Sequence, residues 1–203
     1  MPELKDKTAV ITGAGRGIGK RLAIAFAKEG AKVGLLARTL PELHLTQLEI
    51  THAGGASMVA PADVAEPRQV EEAIDAVRRR FGAIDILVCA AGIQGPIGPA
   101  VSAEPQAWAE VLRVNLLGVF HCCRAVLPEM IARRSGKIIN VSGGGAASAR
   151  PGSVQRSPRP ESGAGTISRA NPPAWVDRSR FPLGCSISFP AATTSSRAPT
   201  AGS

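Results

Sequence analysis

The chain has 203 residues, 44% of them hydrophobic and only 3% aromatic, with a net charge of +8 at pH 7. That length supports one domain with a proper core, and four cysteines (Cys89, Cys122, Cys123, Cys185) without a CxxC pair or ligand spacing point to free thiols in a reducing cytoplasm and to no metal site. Residues 1–150 carry 18 Lys and Arg against 14 Asp and Glu, residues 151–203 carry 6 against 2, and no basic stripe is interleaved with aromatics, so nucleic acid is not an expected partner.

Along the chain, residues 1–7 are charged and show no signal-peptide pattern. Short apolar runs follow at 8–11, 32–36, 57–60, 84–89 and 137–141, rich in Val, Ile or Leu as strands buried on both faces should be. Amphipathic stretches at 17–29, 41–53, 67–81 and 104–134 separate them and predict helices. The third opens on Pro67 and closes on Arg78, Arg79 and Arg80, suited to the two ends of the helix dipole. Gly30, Gly82 and Gly136 follow helices where a left-handed cap is wanted. The apolar stretch 111–127 is broken by Arg113, Asn115, His121 and Arg124, which makes it too polar for a membrane span. His44, His52 and His121 share no ligand spacing, and the adjacent Cys122 and Cys123 read as packing residues. Strand–helix alternation of this kind predicts an α/β fold with a Rossmann-like, doubly wound parallel sheet.

From Pro151 the pattern stops. Eight of the sixteen prolines and ten serines fall in residues 151–203, and Leu183 is the last leucine. Two regions are therefore expected: a nucleotide-binding domain over 1–150 and a low-complexity, disordered tail over 151–203.

The most informative stretch is AVITGAGRGIGKRLAIAFAKEGAKV, a strand, a glycine-rich turn and a helix. Glycines let backbone approach a pyrophosphate closely, and the helix start offers free N–H groups and a positive dipole end. A Walker loop fails, because Ala14 stands where its first glycine belongs and Arg21 replaces Ser or Thr. GxGxxG also fails, meeting Ile18 from Gly13 and Lys20 from Gly15. What fits is TGxxxGxG, on Thr12, Gly13, Gly17 and Gly19, with Gly15, Arg16 and Ile18 inside the same turn.

That pattern resembles the short-chain dehydrogenase/reductase family, and the likeness continues to about residue 152. Asp63 and Val64, after the third strand, resemble the adenine-contacting element. Cys89-Ala90-Ala91-Gly92 is similar to the family's Asn-Asn-Ala-Gly, with Cys and Ala replacing both asparagines. Asn115 looks like the helical asparagine of the catalytic set, and GKIINVS like the fifth strand ending in the catalytic serine, Ser142. The resemblance implies about five strands in the order 3-2-1-4-5, hydride transfer between a nicotinamide and a small-molecule carbonyl or alcohol, and a homo-oligomer. Ala37 occupies the position of the acid that would bind ribose hydroxyls, while Arg38 and Arg16 suit a 2′-phosphate, so NADP is favoured over NAD.

The family's proton donor is a tyrosine about thirteen residues after the serine, with a lysine four further on. Position 155 is Gln, position 159 is Arg, and the whole chain has no tyrosine. Gln has no titratable proton and arginine's pKa is too high for acid–base work. A reading-frame change near Gly152 is the leading expectation for this break, with a splice variant or gene-model error equivalent in appearance. Strand five is then an edge with Ile138, Ile139 and Val141 short of cover, and a marginally stable product is expected.

Overall fold

The computed structural model of the chain describes residues 3–142. The expected tail, with positions 155 and 159, lies outside the described residues. Strands β1 (Thr8–Thr12), β2 (Lys32–Leu36), β3 (Ala56–Val59), β4 (Ile86–Cys89) and β5 (Lys137–Asn140) alternate with helices α1 (Gly17–Lys28), α2 (Leu40–His52), α3 (Pro67–Phe81), α4 (Pro105–Leu112) and α5 (Gly118–Ala132). The strands pair in parallel in the order β3-β2-β1-β4-β5. The parallel sheet is what the alternation implied, and its order is the one that the resemblance implied.

Strand alternation divides the core into two layers. Val10, Leu36, Leu87 and Cys89 pack with Val70, Ile74 and Val77 of α3 and Cys122, Val126 and Met130 of α5. Ala9, Ile11, Val33, Leu35, Ile86 and Val88 pack with Ala23 and Ala27 of α1 and Leu43 and Ile50 of α2. All five residues of β1 and all four of β4 are buried, so the sheet centre is dry on both faces. Arg78 ties the α3 layer to α5, with Nε 2.9 Å from Glu129 and a second bond to the Ala125 carbonyl. β5 ends the described sheet, and Ile138, Ile139 and Val141 are half-buried there.

The expected 104–134 helix is present over Pro105–Ala132, with a π-helical turn over Arg113–Leu117 inserted between α4 and α5. Gly136 is not a left-handed cap. Arg134 takes that role at φ 50°, with Arg134 N–H bonded to Ile131 and Ser135 N–H to Met130. Gly136 instead lies against Met130, where a Cβ would sit 2.9 Å from the Met130 Cβ. Gly30 and Gly82 do have positive φ.

The combined helical segment Pro105–Ala132 is, by length and composition alone, long and apolar enough to cross a membrane, with a mean hydropathy of 1.3. The expectation that Arg113, Asn115, His121 and Arg124 make it too polar therefore does not hold on those two criteria. Its buried residues, Val111, Val114, Cys122, Val126 and Met130, include four that cover the sheet. Arg113 pairs with Glu66 at 2.6 Å, Arg124 lies 3.9 Å from Glu71, and Arg78 of α3 reaches Glu129. Ion pairs along one face and a core stripe along another are the marks of a helix packed on its own domain.

Gly34 sets how closely α3 approaches β2: a Cβ there would lie 2.6 Å from Val77 Cγ2. Gly34→Ala is expected to lower the unfolding free energy by about 1–3 kcal/mol, as overpacking does. Urea denaturation followed by circular dichroism measures it, and an unchanged midpoint would contradict the close approach.

Candidate functional site

In a parallel sheet all strands deliver their following residues to one edge. The glycine turn follows β1, Arg38 follows β2, Asp63 and Val64 follow β3, Ala90 to Gly92 follow β4, and Ser142 follows β5. Every candidate residue except Asn115 thus reaches the carboxyl edge by strand direction. The order reverses between β1 and β4, where open α/β sheets leave a crevice for ligands.

Thr12 holds that reversal. Its Oγ1 accepts the amides of Ala90 and Ala91, each at 3.0 Å, and lies 3.4 Å from the Val88 carbonyl as a donor. The side chain is buried, so these bonds are not exchanged with water. Gly13, at φ +65°, has no room for a Cβ, which would fall 2.9 Å from the Ala90 carbonyl oxygen. Gly19 is packed against the Gly13 carbonyl, which brings the start of α1 under the turn. Arg16, Gly17 and Ile18 are exposed, and Gly17 has φ +58°. The turn is anchored at its base and open along the arc where a phosphate would approach.

Arg38 and Asp63 were expected to serve different parts of a dinucleotide. They face each other, Arg38 Nη1 lying 3.5 Å from Asp63 Oδ2. Asp63 also accepts the Ala65 amide at 2.9 Å, which shapes the turn carrying Val64. Val64 is buried, and Gly118 of α5 meets it so closely that a Cβ there would come within 2.7 Å of Val64 Cγ2. His121 Nδ1 lies 2.9 Å from the Val64 carbonyl. The sequence showed only that this histidine shares no ligand spacing with His44 and His52; its contact joins the β3 loop to α5.

Asn115 lies in the π-helical turn and reaches the β4 loop. Its Nδ2 donates to the Ile93 carbonyl and its Oδ1 accepts the Ile93 amide, both at 2.9 Å. One N–H and one lone pair remain for anything else. The irregular turn displaces the helix locally, as π turns at functional positions often do. Gly92 is in contact with Asn115 as well, a Cβ there falling 3.3 Å from Oδ1. Ser142 is exposed, one residue past Val141, whose amide bonds the Cys89 carbonyl.

Beneath the β4 loop, Cys89 hydrogen-bonds Cys122 and Cys123. The bond to Cys122, with burial adding to it and the bond to Cys123 opposing, leaves the Cys89 thiol pushed up to about 12. Cys123 is also raised, by its bond to Cys89 and by burial. Both expected packing residues therefore meet the thiol that ends β4. Among the described residues no group of three or more His, Cys, Asp or Glu is arranged to hold a metal. A cavity of about 230 Å³ lies off the site, between β3 and α3, lined by Met58, Val59, Gln69 and Glu72.

A five-stranded doubly wound sheet with a glycine turn at its reversal point defines a Rossmann-type nucleotide-binding fold. Residues 7–155 match the short chain dehydrogenase family, and the chain belongs to it. A short chain dehydrogenase of Pseudocercospora fijiensis is 39% identical over 143 residues, 69% of this chain and 46% of that protein. A gluconate 5-dehydrogenase from Burkholderia cenocepacia, solved with NADP and tartrate, superposes with a TM-score of 0.70 at 42% identity, over 75% of this chain and 60% of that one. An NAD⁺-bound xylitol dehydrogenase gives 0.72 at 30% identity, over 74% and 58%. The chain thus spans roughly half to three fifths of the length of these relatives.

Thr12→Val keeps the shape and strands the amides of Ala90 and Ala91; it is expected to destabilise by about 1–3 kcal/mol, whereas Thr12→Ser, which keeps the oxygen, recovers most of that. Equal urea midpoints for the two variants would show the oxygen to be irrelevant. The raised Cys89 thiol stays neutral at about pH 8, so its alkylation by iodoacetamide is expected at least about tenfold slower in the native protein than in urea. The stabilisation held by the neutral thiol is complete below its ordinary value of 9.0 and is lost as pH rises through about 12. Peptide mapping reads the labelling, and equal rates would contradict the buried thiol contact.

Proposed function

We propose that the chain is an NADP(H)-binding member of its oxidoreductase family, built to place a nicotinamide beside a carbonyl or alcohol substrate and impaired in the proton-transfer half of that reaction. One observation carries the reading: the Thr12–Gly19 turn sits at the reversal of the sheet, braced by Thr12 and open to solvent along Arg16–Ile18. In this reading residues 1–150 form the nucleotide-binding unit. The backbone from Thr12 through Gly13, Gly15, Arg16, Gly17, Ile18 and Gly19 takes the pyrophosphate. Asp63 and Val64 flank the adenine, and Ala90, Ala91 and Gly92 border the nicotinamide side.

NADP rather than NAD is supported by Ala37 in place of an acid and by Arg38 and Arg16 near the ribose position. The Arg38–Asp63 pair refines this. A 2′-phosphate dianion must draw Arg38 from a single carboxylate, a favourable exchange because the dianion carries more charge and more acceptors. The NADP named in the gluconate 5-dehydrogenase structure agrees with this preference, and the NAD⁺ named in the xylitol dehydrogenase structure is the alternative.

For chemistry, Ser142 supplies a hydroxyl to the substrate oxygen and Asn115 fixes the loop beside it. A bound nicotinamide supplies the hydride. A positioned proton donor contributes on the order of 10²–10⁴ in rate, and the chain offers no tyrosine for the role. Binding with little or no turnover follows. A catalytically silent nucleotide-binding protein is the second reading, and the same missing residue favours it. Leu112 of α4, Leu116 and Leu117 of the π-helical turn and Phe120 of α5 are exposed apolar residues, which supports association with a second copy. The reduced Cys89, Cys122 and Cys123 fit the cytoplasm.

Titration of the full chain with NADPH and NADH, followed by assay on simple ketones, tests this. Saturable NADPH binding, weaker NADH binding and negligible ketone reduction are expected, with Arg38→Ala weakening NADPH about tenfold and NADH little. Ketone reduction at a rate ordinary for enzymes, or tighter binding of NADH, overturns the reading.

A further inference from the structure

We propose that Thr46, in the middle of α2, is a positioning residue that sets the phosphate-binding turn from beneath. The inference rests on the proposed nucleotide site and concerns how that site is kept in shape. Helix α2 buries Leu43, Thr46 and Ile50 along one face. Thr46 is the polar member of that stripe and is fully buried. Its Oγ1 lies 3.0 Å from the Ala14 carbonyl, 3.1 Å from the Glu42 carbonyl and 3.5 Å from the Gly15 carbonyl.

A hydroxyl has one proton, so these contacts share it. Glu42 is the residue four earlier on the same helix, a partner that helical threonines commonly reach. Ala14 is different: it lies 32 residues away, in the glycine turn, and is itself fully buried. Its amide is spent on the Leu36 carbonyl at 3.1 Å. Thr46 is the only described group that donates to the Ala14 carbonyl, and a buried carbonyl left without a donor is costly.

The consequence for the turn follows from peptide planarity. In a trans peptide the carbonyl and the next N–H point opposite ways. Drawing the Ala14 carbonyl toward α2 therefore turns the Gly15 N–H away from α2. That N–H bonds no other described group. Gly15 is in turn held against Glu42, a Cβ there falling 2.9 Å from the Glu42 Cβ. Thr12 fixes the near end of the turn to β4 and Thr46 fixes its middle to α2, so the donors of the arc are set before a ligand arrives. Preorganisation of this kind is read as affinity for the group those donors meet, here the pyrophosphate.

The test compares two ligands on the full chain: NADP⁺, which carries the pyrophosphate, and adenosine 2′-monophosphate, which lacks it. Thr46→Val, similar in shape and without the hydroxyl, is expected to weaken NADP⁺ about fivefold to tenfold and leave the monophosphate unchanged, and Thr46→Ser is expected to restore NADP⁺ binding. Equal weakening of both ligands, or of neither, overturns the positioning role. If neither Thr46→Val nor Thr46→Ala folds while Thr46→Ser does, the hydroxyl serves the fold and the proposal is overturned likewise. A wild-type chain that binds neither ligand removes the nucleotide site itself and this inference with it.

Discussion

The architecture depends on one buried oxygen. Thr12 ends the first strand at the point where the chain's crossovers change direction, and its Oγ1 takes two amides of the loop after β4. Strands 1 and 4 are neighbours in space but 70 or more residues apart in sequence, so something must fix how their ends diverge. Backbone pairing ends at Ile11 and Val88. One residue later a side chain takes over the role of a strand, accepting the partly buried amides of Ala90 and Ala91. The width of the crevice is set there.

Around that bond, each wall of the crevice is held by a different kind of contact. The β4 wall is held by Asn115, which closes a two-bond ring with Ile93 from a distorted helical turn. The β3 wall is held by Gly118 packing on Val64 and by His121 on its carbonyl. The floor is held by Thr46. Helix α5 and the turn before it thus do two jobs, covering the sheet through Val126 and Met130 and bracing two loops through Asn115 and His121. Loops tied to rigid elements at this density can carry function without being rigid along their whole length.

How much of this was legible in the sequence follows from how local each signal is. The parallel, doubly wound sheet was readable from alternation of short apolar runs with amphipathic stretches, its strand order came from the family resemblance, and every expected boundary fell within two residues of the structure. Thr12 was readable as part of a spacing, but not what its oxygen holds, since Ala90 and Ala91 are 78 and 79 residues away. The Arg38–Asp63 pair joins the ends of two strands, and no periodicity links them. Thr46 looked like an ordinary helical threonine; a hydroxyl in the middle of the stripe of Leu43 and Ile50 was the available signal. The π-helical turn was invisible because Arg113–Leu117 has unremarkable helix composition, and the left-handed cap fell on Arg134 because caps are chosen by where the helix can stop, with a glycine two residues later left to make room for Met130.

Grip and chemistry separate along the chain for a physical reason. Phosphates are held by backbone N–H groups and a helix start, which need a turn of the right shape and few particular side chains. That shape is complete once β1, α1, α2 and the β4 loop are packed and braced by Asn115 and His121, all before β5. Proton transfer needs a titratable group placed within hydrogen-bond reach of one reacting oxygen, and no amount of backbone can replace it. In this family's pattern the group comes after the fifth strand, from residues that here read Gln155 and Arg159. The elements that make the crevice thus lie in the first three quarters of the chain, ahead of the positions where the family's pattern calls for its proton donor.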